Sequence, residues 1–135
     1  MKLDSSKQPI DKSSQEVHAF LNDVKNFEKL MPENISKFEM VGNDGFVFAL
    51  SGMPEVALQK KVSMPPNKLI LEAAGGKLDF NLTIDISEVT ENSSEAQFIF
   101  TGDFNAMIGM MVKGPISKLI ETWVSNIPKA INTKG

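Results

Sequence analysis

The stretch that most constrains this chain runs from Asn105 to Ile131, NAMIGMMVKGPISKLIETWVSNIPKAI. Its second part sets Ile116, Leu119, Ile120, Trp123, Ile127 and Ile131 three and four residues apart, so a 3.6-residue period gathers them on one side of a helix. An apolar stripe of that length has to be buried against an apolar surface of similar length. The first part is different in kind: Met107, Met110 and Met111 bring unbranched, polarisable side chains to a segment ending at Lys113-Gly114-Pro115. The pattern predicts a short Met-rich turn of helix, a kink, and then a long helix.

The surface for that stripe comes from the middle of the chain, where the apolar period changes to two. ISKFEMV and FVFALSG flank the turn residues Gly42-Asn43-Asp44-Gly45 and read as a hairpin. VALQKKVSM, ended by Pro65-Pro66, and KLILEAA, ended by Gly75-Gly76, read as two more strands. The cleanest alternation is Leu78, Phe80, Leu82, Ile84 and Ile86 against Asp79, Asn81, Thr83, Asp85 and Ser87, one face dry and one wet. A last strand puts Ala96, Phe98, Phe100 and Phe104 on one side. Ahead of these strands, SSQE at 13 to 16 is a capping box with Ser13 as N-cap, and Val17, Phe20, Leu21 and Val24 repeat at helical spacing. A second short helix, Asn26 to Met31, is stopped by Pro32. The economical place for residues 2 to 9 is an extended edge strand.

The order is thus strand, two short helices, six antiparallel strands and a long C-terminal helix, and 135 residues fit one domain spanning 1–135. Composition removes several function classes. All 14 basic residues are Lys, against 17 acids and a net charge of -3, so neither a guanidinium fork nor a basic stripe is available to nucleic acid. With no Cys there are no thiolate metal sites or cysteine nucleophiles, and no metal-ligand spacing, GxSxG or phosphate loop occurs. No metal or other cofactor is expected. No run approaches the ~20 apolar residues of a membrane span, and no signal peptide is read at Met1; a cytoplasmic protein without integral membrane association is expected.

The order of elements, the Leu30-Met31-Pro32 ending of the helical pair, the Ser51-Gly52-Met53 step between strands and the Asn105 to Pro115 lead into the last helix carry a family likeness. The chain resembles the START-like superfamily, also called the birch-pollen-allergen-like or polyketide cyclase/dehydrase-like helix-grip proteins, over nearly its full length. The glycine-rich turn of the pollen-allergen branch is not matched. The resemblance implies an α+β helix-grip fold, in which a curved antiparallel seven-stranded sheet wraps round the C-terminal helix with two short helices after the first strand. It also implies a hydrophobic cavity between sheet and helix, and a hydrophobic small molecule such as a lipid, isoprenoid or polyketide as partner. Fold alone does not choose among carrier, cyclase and hydrolytic enzyme, or a protein-interaction module without a ligand.

The residues proposed for ligand contact follow from these placements. On the strands they are Phe48, Leu58, Leu71, Phe80, Leu82, Phe98 and Phe100; on the last helix they are Ile120 and the adaptable Met107, Met110 and Met111. Core packing uses the same residue types, so each also has a purely structural reading. Lys60 shares strand parity with Val56, Leu58 and Val62. It is either a polar contact for a ligand, or a lysine carried into solvent beside Lys61 by snorkelling or a bulge. His18, the one imidazole, reads as a surface residue; Tyr is absent, and the shortage of proton donors weighs against catalysis.

Overall fold

The computed structural model describes residues 1–52, 55–75 and 79–132. The first helix starts as its capping box requires. Ser13 Oγ accepts from the Glu16 backbone N–H at 3.1 Å, and the Glu16 carboxylate accepts from the Ser13 N–H at 3.3 Å. Helix α1 (Ser14–Asn22) buries Val17 and Leu21, and a 3₁₀ helix (Val24–Leu30) buries Val24, Phe27 and Leu30.

Among the described residues, eight strands form one antiparallel sheet. They are β1 (Lys2–Asp4), β2 (Gln8–Ile10), β3 (Ile35–Val41), β4 (Gly45–Leu50), β5 (Val56–Met64), β6 (Lys68–Ala73), β7 (Phe80–Thr90) and β8 (Ser93–Gly102). Their order is β1-β8-β7-β6-β5-β4-β3, with β2 also paired to β8. The edge strand expected at residues 2 to 9 is therefore in two pieces. At the break, Ser5 Oγ takes over as acceptor for the Phe98 N–H at 2.9 Å, and Ser6 Oγ turns outward to donate to Glu121 on the last helix at 2.9 Å. The register shifts between Ile35 and Lys37, Lys60 and Val62, and Glu88 and Thr90. Such irregularities bend strands and raise their twist, which suits a sheet curved round a helix. Leu78, Met53 and Gly76 lie outside the described residues.

Helix α2 (Ala106–Ile131) is capped by Asn105, whose side-chain oxygen accepts from the Ile108 N–H at 2.9 Å. It continues unbroken through Pro115, where the sequence led us to expect a kink. Gly114 explains part of this: the clash that drives a residue before proline out of helical geometry involves its Cβ, and glycine has none. On the concave side of the sheet the apolar stripe of α2 meets the aromatic core. Trp123 packs against Phe27 and Phe48 with ring centroids 5.5 Å apart in both pairs, and Phe27 stacks on Phe46 at 5.2 Å.

Candidate ligand cavity

Between the middle of α2 and the concave sheet lies a cavity of about 180 Å³. The sheet side is built from inward positions of β4, β5, β7 and β8, where alternation places Phe48, Leu58, Leu82 and Phe100 on one face. The roof is Val112, Ile116, Leu119, Ile120 and Trp123, one side of the helix at three- and four-residue spacing. Half-buried Leu50, Val56, Phe80 and Phe104 border it toward solvent. Phe104 reaches its place because Gly102 has no side chain: a Cβ there would sit 2.7 Å from the Phe104 ring. The ring is thus free to fold back and stack on Phe100 at 5.9 Å, with Phe80 next in line at 5.1 Å from Phe100. Two larger depressions on the outer surface are open grooves of mixed charge, where Lys68 pairs with Asp85 at 3.7 Å in one and Lys61 lies near Glu72 in the other. Neither has the apolar enclosure of the inner cavity.

Of the residues expected at a ligand site, Phe48, Leu58, Phe80, Leu82, Phe100 and Ile120 line this cavity. Leu71 and Phe98 do not. Both are fully buried in the solid part of the core, and Phe98 lies two residues before Phe100 in β8, against Phe27 at 6.3 Å and Trp123 at 6.2 Å. A step of two residues moves a side chain about 6.8 Å along a strand, enough to leave the cavity.

The methionines are also placed elsewhere. Met107, Met110 and Met111 are 74%, 84% and 70% exposed, on the outer face of α2. At 100° per residue, Met110 lies roughly 160° round the helix from Val112, so the roof and the methionines face opposite ways. Val112, one helical turn before Ile116, continues the phase of the stripe, whereas the expectation for the methionines rests on side-chain chemistry alone. Phe104, Ile116, Leu119 and Trp123 were visible in the apolar patterns as packing residues and turn out to line the cavity.

Lys60 takes a third position between the two expected. It pairs with Leu71 across the sheet and so stays on the concave face, but its Nζ meets Asp44 Oδ1 of the β3–β4 turn at 3.4 Å. The bulge is real and comes one residue later, at Lys61, which is exposed. Lys60 does not line the cavity. By shifting the phase, the bulge also brings Ser63 to the concave side, opposite Leu69. There Ser63 Oγ donates to Asn22 Oδ1 at 2.8 Å and lies 3.3 Å from His18 Nε2.

His18 is only 4% exposed, which corrects the surface reading. Burial lowers its pKa from the ordinary histidine value, the nearby Lys60 charge adds to that, and a hydrogen bond to the Lys68 backbone partly offsets both. With the Ser63 proton directed at Asn22, the serine and histidine tie α1 to β5 and are not set up as nucleophile and base. Among the described residues no three His, Asp or Glu side chains gather as metal ligands, and no helix is long and apolar enough to cross a membrane.

No protein-family model and no curated protein matches the sequence. Solved structures match in three dimensions. Norcoclaurine synthase from Thalictrum flavum, in complex with dopamine and hydroxybenzaldehyde, is similar with a TM-score of 0.75 at 11% identity, over 100% of this chain and 89% of that one. The protein XoxI from Bacillus cereus is similar with a TM-score of 0.76 at 11% identity, over 96% and 94%. A conserved protein from Geobacillus kaustophilus gives 0.67 at 18% identity, over 97% and 95%. The fold is a helix-grip fold. At these identities the likeness reaches the architecture of sheet and helix alone.

Proposed function

We propose that this helix-grip protein binds a small hydrophobic molecule between the sheet and the middle of α2. The observation that carries the reading is the hydrocarbon-lined cavity of about 180 Å³. An apolar protein cavity of ~150 Å³ stays dry and takes up benzene, so this one has room for an apolar group of roughly that size or slightly larger. The ring compounds held by norcoclaurine synthase are of that scale. An isoprenoid, polyketide or lipid would fit by one end, with the remainder passing Phe80 and Phe104 toward solvent.

An enzyme of the cyclase or dehydratase kind would place two or more polar groups round the substrate. Lys60 and His18, the residues that reading relied on, lie outside the lining and are engaged with Asp44 and with Ser63 and Lys68. Carriage or sensing therefore accounts for the site better than acid–base chemistry does. The alternative of a docking module has one observation behind it, the exposed Met107, Met110 and Met111 on the outer face of α2.

Native mass spectrometry of the purified protein, with and without solvent extraction, tests the proposal. A bound apolar molecule that extraction removes, and that an Ile116→Phe variant fails to retain, is the expected result. A protein that carries nothing, and that also takes up no benzene-sized probe, would contradict it.

A further inference from the structure

The outer face of α2 carries chemistry that the cavity does not use. Met107, Met110 and Met111 are largely exposed there, so none of them supports the core. An exposed helix face gains nothing from apolar side chains, and Lys, Glu or Ala would hold the helix as well. What the three share is a thioether sulfur, a soft and uncharged donor. At 100° per residue Met107 lies between the other two, about 60° from Met110 and about 40° from Met111. Positions three and four apart have Cβ atoms about 5–6 Å apart, and each methionine side chain turns about three bonds. All three sulfurs can therefore close on one ion from the same side of the helix.

We infer that Met107, Met110 and Met111 form a surface site for a soft monovalent cation, Cu(I) or its redox-stable analogue Ag(I), with three thioether ligands and Met107 as the shared corner. The surroundings decide the class of ion. Residues 106–118 contain no Asp, Glu, His or Cys, and the Asn105 side-chain oxygen is committed to the Ile108 N–H. The helix thus offers neither the oxygens that calcium and magnesium need nor the imidazole or thiolate that zinc takes. Thioethers suit Cu(I). Next along the same side is Gly114, where a side chain would meet open space, so the face stays clear for an ion to approach. Binding is coordination alone: sulfur lone pairs are donated, and no electron or proton is transferred. The site is independent of the cavity, since its ligands face away from the lining.

The chain contains 8 methionines, and ¹³C-methyl labelling gives each an ε-methyl resonance that can be followed singly. The test titrates the labelled protein with silver(I) nitrate in chloride-free buffer. The methyls of Met107, Met110 and Met111 are expected to shift together and to saturate at one ion per chain. Met64, an exposed methionine on β5, serves as the control and is expected to respond weakly and without saturation. In a Met107→Leu variant, which removes the shared corner from an exposed position and leaves the core untouched, the saturable response of Met110 and Met111 is expected to be lost. A competition against bicinchoninate under anaerobic conditions then reads Cu(I) itself, with the wild-type protein withdrawing the ion and the variant failing to do so. The inference is overturned if the three methyls respond no more strongly than that of Met64, if the variant saturates as the parent does, or if zinc(II) moves the same methyls as silver(I).

Discussion

The two ends of the concave face are built from the same residue types and packed to different degrees. At one end α1 and the 3₁₀ helix close over the sheet, and Val17, Leu21, Val24, Phe27 and Leu30 are all at 0% exposure. Two polar side chains tie this end together: Asn126 Nδ2 donates to the Leu30 carbonyl at 2.9 Å and Asn26 Nδ2 to the Phe20 carbonyl at 2.8 Å. At the other end α2 alone roofs the sheet, and one helix cannot fill a curved trough as two layers of helix can. Phe80, Phe100 and Phe104 stack mainly on each other, and the space beside them stays open. On the proposed reading, the closed end serves stability and the open end serves binding.

Substitutions should respond to that division. The largest effect is expected from Phe27→Ala at the closed end, a loss of about 3–5 kcal/mol, because the void it leaves is walled on all sides. Phe104→Ala at the open end should cost under about 2 kcal/mol, since its ring is half exposed and already borders a void. Urea denaturation of both variants checks the contrast, and equal losses would break it.

Enlarging a side chain should invert the picture. Leu21→Phe has nowhere to expand and should cost about 1–3 kcal/mol. Ile116→Phe grows into the cavity, and its stability should stay within about 1 kcal/mol of the parent while uptake of benzene-sized probes is lost. Thermal unfolding paired with probe titration reads both effects.

The closed end should also carry a pH dependence. His18 has its pKa lowered on folding, so below its ordinary value of 6.5 the unfolded chain binds the proton more readily than the folded one. The contribution is fully present above pH 6.5 and is lost as pH falls through the window from 6.5 down to the lowered folded value. The slope in that window is bounded by about 1.4 kcal/mol per pH unit, the limit for one proton. The positive charge of Lys60 reinforces the effect, and Asp44 tempers it by pairing with that lysine. Denaturation midpoints at pH 7 and pH 5.5 should converge in a His18→Gln variant relative to the parent. The smallest effect is expected at the helix caps: Ser13→Ala and Asn105→Ala should each cost about 0.5–1 kcal/mol, but only the second, which frays the roof, should speed probe exchange.

Much of the fold was legible because it depends on period. The Ser13 box, β3 and β5 follow directly from local pattern, and the stripe of α2 required a curved apolar sheet to receive it. The sequence was less informative where a local signal competed with a tertiary one. Ser5 and Ser6 split the edge strand by bonding to Phe98 and Glu121, partners that are remote in the chain. Pro115 signalled a kink that Gly114 helped to relieve. In the site, residues chosen by strand parity split between cavity and core because parity fixes the face and not the depth, as Phe100 and Phe98 show. The softness of Met107, Met110 and Met111 says nothing of direction, and their helical phase puts them outside.

The central claim is that the open end alone admits a ligand, and methyl-resolved NMR tests it most directly. Titration with toluene should give saturable shifts at Val56, Leu58, Ile116, Leu119 and Ile120, with Val17, Leu21 and Leu69 unmoved. Shifts that never saturate, or that appear equally at Val17 and Leu21, would contradict the division between a closed, packed end and an open, ligand-holding one.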